Sequence, residues 1–296
     1  MRSKNCWRMK VKSFAKINLG LEVIRRRKDN YHEIRTLFQS IGLYDALEFK
    51  TVADGEIRVE GDDDSIPWNK DNLIYKAALL LQKRFNLSQG VEVRVRKNIP
   101  PGKGLGGGSS NAAMSLYALN TIWGLRLTRK DLMELGKNIG ADVPYFLEGG
   151  LCLGLERGDK IVTLEDINPS YCLLALPAFS IATSSVYSRL PLVLTSEDKD
   201  SKIIKFLTGR NYCYLTNSLE ETIFSLYPQL RVIKNLFQNL GSELSLVSGT
   251  GAAVFGLFKD KEKAEEGLEK LKQSCPSLLV ETLSRKSYWE RLKIGV

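Results

Sequence analysis

Pro101-Gly102-Lys103-Gly104-Leu105-Gly106-Gly107-Gly108-Ser109-Ser110-Asn111-Ala112-Ala113 decides the reading of this 296-residue chain. Five of the seven residues from Gly102 to Gly108 are glycine, so the backbone can turn tightly and approach a ligand with no Cβ in the way. The glycines stop at Ser109-Ser110-Asn111, and an alanine-led helical pattern runs from about Ser110 to Trp123. A glycine-rich loop feeding a helix start aims free N–H groups and the positive end of the helix dipole at one spot. Such a spot favours an anion, most often a phosphate. A nucleotide is expected there.

Two common phosphate loops fail on the residues present. A Walker loop places Lys and then Ser or Thr after its last glycine, whereas Ser109 follows Gly108 directly. Gly102-x-Gly104-x-x-Gly107 matches the dinucleotide fingerprint in form. No acid lies between Glu92 and Asp131, however, so the ribose-binding carboxylate expected about 20 residues on is missing. A plain flexible hinge leaves the immediate helix start unexplained.

Outward from the loop, strands and helices come in mixed blocks. Lys10–Ile24 reads as a strand or strand pair, and Ala46–Glu60 as two short strands around Ala53-Asp54-Gly55, a hairpin signal. Asn72–Phe85 has the helical period at Leu73, Ala77, Leu80 and Leu81, and Gly90–Arg96 alternates as a strand with one solvated face. Thr128 caps a helix that Gly140 ends. Strands follow at Leu151–Glu156, Lys160–Leu164 and Tyr171–Pro177, then a helix-rich region from Lys199 to Asn239. Strands near Leu244–Val247 and Ala253–Phe258 flank a second glycine cluster, and a charged helix covers Lys261–Gln273. This pattern predicts an α+β chain. A composition shift near Asp166-Ile167-Asn168-Pro169 marks a boundary between residues 1–166 and 167–296.

The net charge of +9 points to an anionic partner, nucleic acid or phosphorylated metabolite alike. Five scattered cysteines (Cys6, Cys152, Cys172, Cys213, Cys275), with no Cys-x-x-Cys, argue against disulfides or zinc and for a reducing cytosol. Leu246–Phe258 is the most apolar stretch and is too short and glycine-rich to span a bilayer. A cytoplasmic protein is expected, with no membrane partner.

Pro-x-x-x-Gly-Leu-Gly-Gly-Gly-Ser-Ser-Asn-Ala-Ala, from Pro100 or Pro101, resembles the phosphate loop of the GHMP kinases, which phosphorylate small alcohols and acids with ATP. Phe14-Ala15-Lys16-Ile17-Asn18-Leu19 resembles that superfamily's first motif, and Val247-Ser248-Gly249-Thr250-Gly251-Ala252-Ala253-Val254-Phe255 its third. Asp29-Asn30-Tyr31-His32-Glu33, Gly140-Ala141-Asp142-Val143-Pro144-Tyr145-Phe146 and Thr183–Tyr187 are similar to one branch. That branch phosphorylates the 2-hydroxyl of 4-diphosphocytidyl-2-C-methyl-D-erythritol in the non-mevalonate isoprenoid pathway.

The resemblance implies a two-domain α+β fold: an N-terminal domain like ribosomal protein S5 domain 2 and a ferredoxin-like C-terminal domain, with ATP and substrate in the cleft between. It implies Asp142 as catalytic base and Lys16 as its partner. Asn18, Tyr31, His32, Thr183 and Tyr187 would bind substrate, with Tyr187 across the cytosine ring from Tyr31. Asn72, Leu73, Lys97, Pro100, Gly102, Lys103, Gly104, Leu105, Gly106, Gly107, Gly108, Ser109 and Ser110 would bind ATP. Mg2+ would bridge the ATP phosphates, with protein ligands unassigned. Lys103 departs from the family, which usually has a small residue there; it either adds charge near the phosphates or points outward. Leu73 has a plain structural reading too, as apolar core, as do Lys97 facing solvent and Asp142 capping a helix.

A mevalonate-type or homoserine-type kinase is the runner-up, and an RNA-binding module the alternative from another class. The expected partners are the small-molecule substrate and ATP, without nucleic acid, in a monomer or weak homodimer.

Overall fold

The computed structural model describes residues 7–190 and 201–292. Cys6 and the first residues of the helix-rich region expected from Lys199 lie outside them. A sheet of ten strands carries the molecule, in the order β3-β4-β2-β10-β7-β9-β8, with β1 and β5 on β2 and β6 on β5.

The first half holds β1 (Arg8–Arg26), β2 (His32–Val52), β3 (Ile57–Gly61), α1 (Leu73–Arg84) and β4 (Gly90–Arg96). Then come α2 (Gly107–Ile122), α3 (Arg129–Gly136), α4 (Val143–Phe146), β5 (Leu151–Leu155) and β6 (Lys160–Thr163). β1 and β2 are antiparallel from Arg8↔Lys50 to Arg26↔His32. Register shifts at Phe14/Ala15 and Asn18/Gly20 bracket Lys16 and Asn18. Such irregularities re-aim side chains, and these two residues, two apart on a strand, share one face.

The hairpin expected at Ala53-Asp54-Gly55 does not form. β4 sits between the two strands, antiparallel to β2 and parallel to β3. Helix α1 makes the crossover that a parallel pair requires. Gly90 permits the insertion, since a Cβ there would lie 2.1 Å from the Glu56 carbonyl oxygen.

The second half holds β7 (Tyr171–Ala175), α5 (Thr183–Tyr187), α6 (Lys202–Gly209), a 3-10 turn (Tyr212–Tyr214), α7 (Glu220–Leu226) and α8 (Gln229–Asn239). It continues with β8 (Leu244–Val247), β9 (Val254–Phe258), α9 (Lys261–Leu271), β10 (Ser277–Leu283) and α10 (Arg285–Glu290). β10 pairs with β7 and then with β2 at Ile41 and Ser40, joining the halves. α10 returns to the first half: Tyr288 is fully buried there and donates to the Phe146 carbonyl at 2.7 Å.

Three apolar clusters follow from this path. One packs α1, α2 and α10 on the first-half strands, around Phe14, Phe49, Leu116 and Tyr288. Another centres on the second half, around Phe237, Val254 and Phe258, and takes in Leu21, Val23 and Ile34 from β1 and β2. The third is shared, with Ile17, Leu19, Leu37 and Leu105 against Leu174, Leu246 and Phe255. Cys152, Cys172, Cys213 and Cys275 are free thiols. Among the described residues no helix is long and apolar enough to cross a membrane.

Candidate active site

β1 supplies the centre of the site. Lys16 is 4% exposed, and its Nζ lies 3.5 Å from Asp142 Oδ2 while donating to Asn18 Oδ1 at 2.6 Å. Asn18 Nδ2 donates to Thr36 Oγ1 at 2.7 Å, and that hydroxyl donates to the Gly20 carbonyl at 2.9 Å. The chain of donors leaves one orientation for the Asn18 amide. Burial pushes the Lys16 ammonium below the ordinary lysine range, and Asp142 beside it opposes that shift.

Asp142 stands at the N-terminus of the four-residue helix α4, yet its side chain caps nothing. Its carboxylate faces the lysine instead. The turn ahead of it is tight because Val143 packs on Gly136, where a Cβ would lie 2.8 Å from Val143 Cγ1.

The glycine loop closes over Lys16. The Leu105 carbonyl accepts from the Lys16 amide at 3.0 Å. Gly106 is left-handed (φ 71°) and caps α2 with no side-chain hydrogen bond. The first α2 amides, from Gly107 to Ser109, are therefore offered to an anion rather than to a capping side chain. The helix starts three residues earlier than the alanine pattern suggested. A Cβ on Gly106 would lie 2.6 Å from Phe146 Cζ and 3.2 Å from Lys16 Cε.

The second glycine cluster locks into the first. The Ser248 hydroxyl donates to the Gly104 carbonyl at 2.9 Å and accepts from the Asn18 amide at 3.3 Å. Asn217 Nδ2 donates to the carbonyls of Val247 (3.0 Å) and Gly249 (2.7 Å).

These walls enclose a cleft of about 980 Å³. Lys16, Asn18, Gly104, Gly106, Ser109 and Asp142 line it together with Tyr31, His32, Thr183 and Tyr187. His32 is the ring against Tyr187, with centroids 4.8 Å apart at 32°. Tyr31 lies under the Arg157 guanidinium at 5.2 Å and lines the same cleft as Tyr187. Burial and the Arg26 charge hold His32 below the usual imidazole range, so the ring is neutral near pH 7, with one donor and one acceptor. Thr183 exchanges a 3.2 Å hydrogen bond with Thr250.

Several residues nominated for ATP have other occupations. Asn72 caps α1, accepting from the Ile74 amide at 2.9 Å, and Leu73 packs beside Gly108. Lys97 does not face solvent: its side chain is 6% exposed and pairs with buried Asp45 at 2.5 Å. Asp45 also accepts from the amides of Asn98 and Ile99, both at 2.8 Å, fixing the strand end ahead of the loop. The Ser110 hydroxyl donates to the Phe14 carbonyl at 2.7 Å and its amide to Gly106, so its side chain serves β1. Lys103 neither joins the cleft lining nor points outward. It is buried and donates to the carbonyls of Pro177, at 2.6 Å, and Phe179.

Arg157, Gly249 and Thr250 line the cleft and were not nominated. The Gly249 cluster carried a signal, since Val247–Phe255 matches a motif. Arg157 carried only a turn signal, Gly158-Asp159; its contact with Tyr31 joins the β5–β6 turn to the β1–β2 connection, remote in sequence.

Two family models match: GHMP kinases N terminal domain over residues 72–150 and GHMP kinases C terminal over 202–277. A glycine-loop cleft between halves with these matches defines a small-molecule kinase of the GHMP class. The 4-diphosphocytidyl-2-C-methyl-D-erythritol kinase of Syntrophus aciditrophicus (strain SB) is 39% identical over 260 residues, covering 87% of this chain and 92% of that one. A crystal structure of 4-(cytidine 5'-diphospho)-2C-methyl-D-erythritol kinase superposes with a TM-score of 0.80 at 32% identity, covering 93% of this chain and 99% of the other. This chain belongs to the family of 4-diphosphocytidyl-2-C-methyl-D-erythritol kinases. A homoserine kinase from Cytophaga hutchinsonii shares the fold, with a TM-score of 0.76 over 96% of both chains at 18% identity. Membership in a kinase family sets the RNA-binding alternative aside.

Gly104 has φ +73°, and a Cβ there would lie 2.0 Å from the Ser248 carbonyl oxygen. Gly104→Ala is therefore expected to force the glycine loops apart and lower kcat/KM about 10²-fold, as misplacements near 1 Å do. Steady-state kinetics with a circular dichroism control measure it; near-normal kcat/KM would contradict the interlock.

Proposed function

We propose that this chain transfers the γ-phosphoryl group of ATP to the 2-hydroxyl of 4-diphosphocytidyl-2-C-methyl-D-erythritol, in the cytoplasm, within the non-mevalonate isoprenoid pathway. The observation that carries this reading is the single cleft itself. It brings buried Lys16 and half-buried Asp142, 3.5 Å apart, together with a glycine loop and a His32–Tyr187 ring pair.

In the proposed reaction the α2 amides and the loop hold the triphosphate. The substrate hydroxyl sits between Asp142 and the γ-phosphorus. Its oxygen forms the new P–O bond as the bond to the ADP oxygen breaks, and its proton passes to the Asp142 carboxylate. Lys16 holds that carboxylate in place and offsets the negative charge gathering around it. Asn18 orients Lys16 and reaches the acceptor. His32, neutral, hydrogen-bonds the cytosine edge, which selects the base; stacking on Tyr187 or Tyr31 adds affinity without selecting it.

Mg2+ fits this site as a companion of ATP. Among the described residues no cluster of three acidic, His or Cys side chains is able to hold a metal. Ser109 and Asp142 nonetheless bring oxygen donors to the cleft, and magnesium commonly binds one or two protein oxygens plus substrate phosphates. Ser109 would hold it, and it would neutralise phosphate charge.

A division at 166/167 gives the cleft one wall from each half, with α10 crossing back. A monomer or weak homodimer is the proposed state.

ADP release measured with the cytidyl substrate, mevalonate and homoserine tests the assignment. Turnover is expected with the cytidyl substrate; turnover confined to either of the others would overturn it. Asp142→Asn is expected to lower kcat about 10²–10⁴-fold with little change in substrate KM. Near-wild-type kcat in that variant would remove the base from the scheme.

A further inference from the structure

Lys103 is a buried cation that the proposed chemistry does not use. Its side chain leaves the glycine loop on the face away from the cleft and ends on two carbonyls of the other half, Pro177 (2.6 Å) and Phe179. Among the described residues no carboxylate pairs with it, and burial lowers its pKa. An ammonium taken out of water is retained only where its hydrogen bonds are made. Around it the fit is close. A Cβ on Gly102 would lie 2.8 Å from the Ser180 side chain, Ser180 Oγ donates to the Pro101 carbonyl at 3.4 Å, and the Lys103 carbonyl accepts from the Ala253 amide at 3.2 Å.

The two sides of this contact are anchored unequally. The glycine loop is fixed independently by Leu105 on Lys16, by Gly104 on Ser248 and by Asp45 at its start. Residues 177–182 have the buried Ile181 side chain in the second-half core, Lys103, the 3.4 Å Ser180 bond and a Phe179–Tyr227 ring stack at 5.0 Å, so Lys103 is their one direct polar tie of normal length to the glycine loop. That segment runs straight into α5, whose Tyr187 meets His32 in the cleft.

We propose that Lys103 is a positioning residue for the acceptor substrate: it ties the segment ahead of α5 to the phosphate loop and so sets where Tyr187 stands relative to His32. It belongs to the ATP loop in sequence and serves the nucleobase end in effect. This rests on the substrate reading above only for the identity of the acceptor.

The test is Lys103→Met, which keeps the apolar stem and removes the donors, with Lys103→Arg, which restores donors. KM for ATP and for the cytidyl substrate are measured in both, alongside thermal unfolding. In Lys103→Met the acceptor KM should rise about tenfold while the ATP KM stays within about twofold, with partial recovery in Lys103→Arg. A lowered melting temperature with both KM values unchanged would overturn the proposal, as would an equal rise in both. Should Lys103→Met fail to fold, Lys103→Gln, which keeps one donor, is read the same way. If the wild type instead uses homoserine or mevalonate, the substrate reading fails alone; the same ratio with that acceptor still decides the role of Lys103.

Discussion

Everything in the cleft depends on keeping the Lys16 ammonium out of water. Desolvating such a group costs several kcal/mol unless its hydrogen bonds and a countercharge are supplied. Asn18 supplies a 2.6 Å acceptor and Asp142 the charge at 3.5 Å. The glycine loop lies over the stem because Gly106 has no side chain to keep it away. A carboxylate and an anion-binding helix start are thereby drawn to one cation. Substrate alcohol and triphosphate, both rich in negative oxygen, are the ligands such an arrangement suits.

The glycine loops cooperate by mutual exclusion of side chains. Gly104 has the Ser248 carbonyl where its Cβ would be, and Gly249 backs onto Asn18, where a Cβ would come within 3.1 Å of Oδ1. Asn217 and Glu220 hold the second loop from beneath, Glu220 accepting from the Val247 amide at 2.8 Å and from Lys234 at 2.6 Å. The halves therefore meet through backbone at the point where chemistry is proposed and through a shared core below it. Ile17 and Leu105 pack with Leu174 and Phe255 there.

Much of this was legible in the chain. α1 is capped by Asn72, β4 starts at Gly90, and α3 is capped by Thr128, though α3 ends at Gly136 rather than at Gly140 as expected. Local chemistry decided those places. The first half of β2 was not legible, because Thr36, Gln39 and Ser40 are buried polar residues that erase alternation. Their partners, Leu283 for Gln39 and Tyr145 for Ser40, are remote in sequence. β10 and α10 escaped for the same reason: Tyr288 finds its pocket on the first-half core. The false hairpin came from reading Gly55 as a local turn when the constraint was the non-local approach of Gly90 to Glu56. Within the cleft, motif residues pointed to the lysine, the aspartate and the loop, whereas the burial of Lys97 and Lys103 depends on a β2 carboxylate and on carbonyls of the loop after β7.

The most direct test is a crystal structure with a non-hydrolysable ATP analogue and the cytidyl substrate bound together. The account predicts the triphosphate on the amides of Gly107 to Ser109 and the 2-hydroxyl within hydrogen-bond reach of Asp142, about 2.6–3.2 Å. Triphosphate bound elsewhere, or a hydroxyl remote from both Asp142 and Lys16, would contradict it.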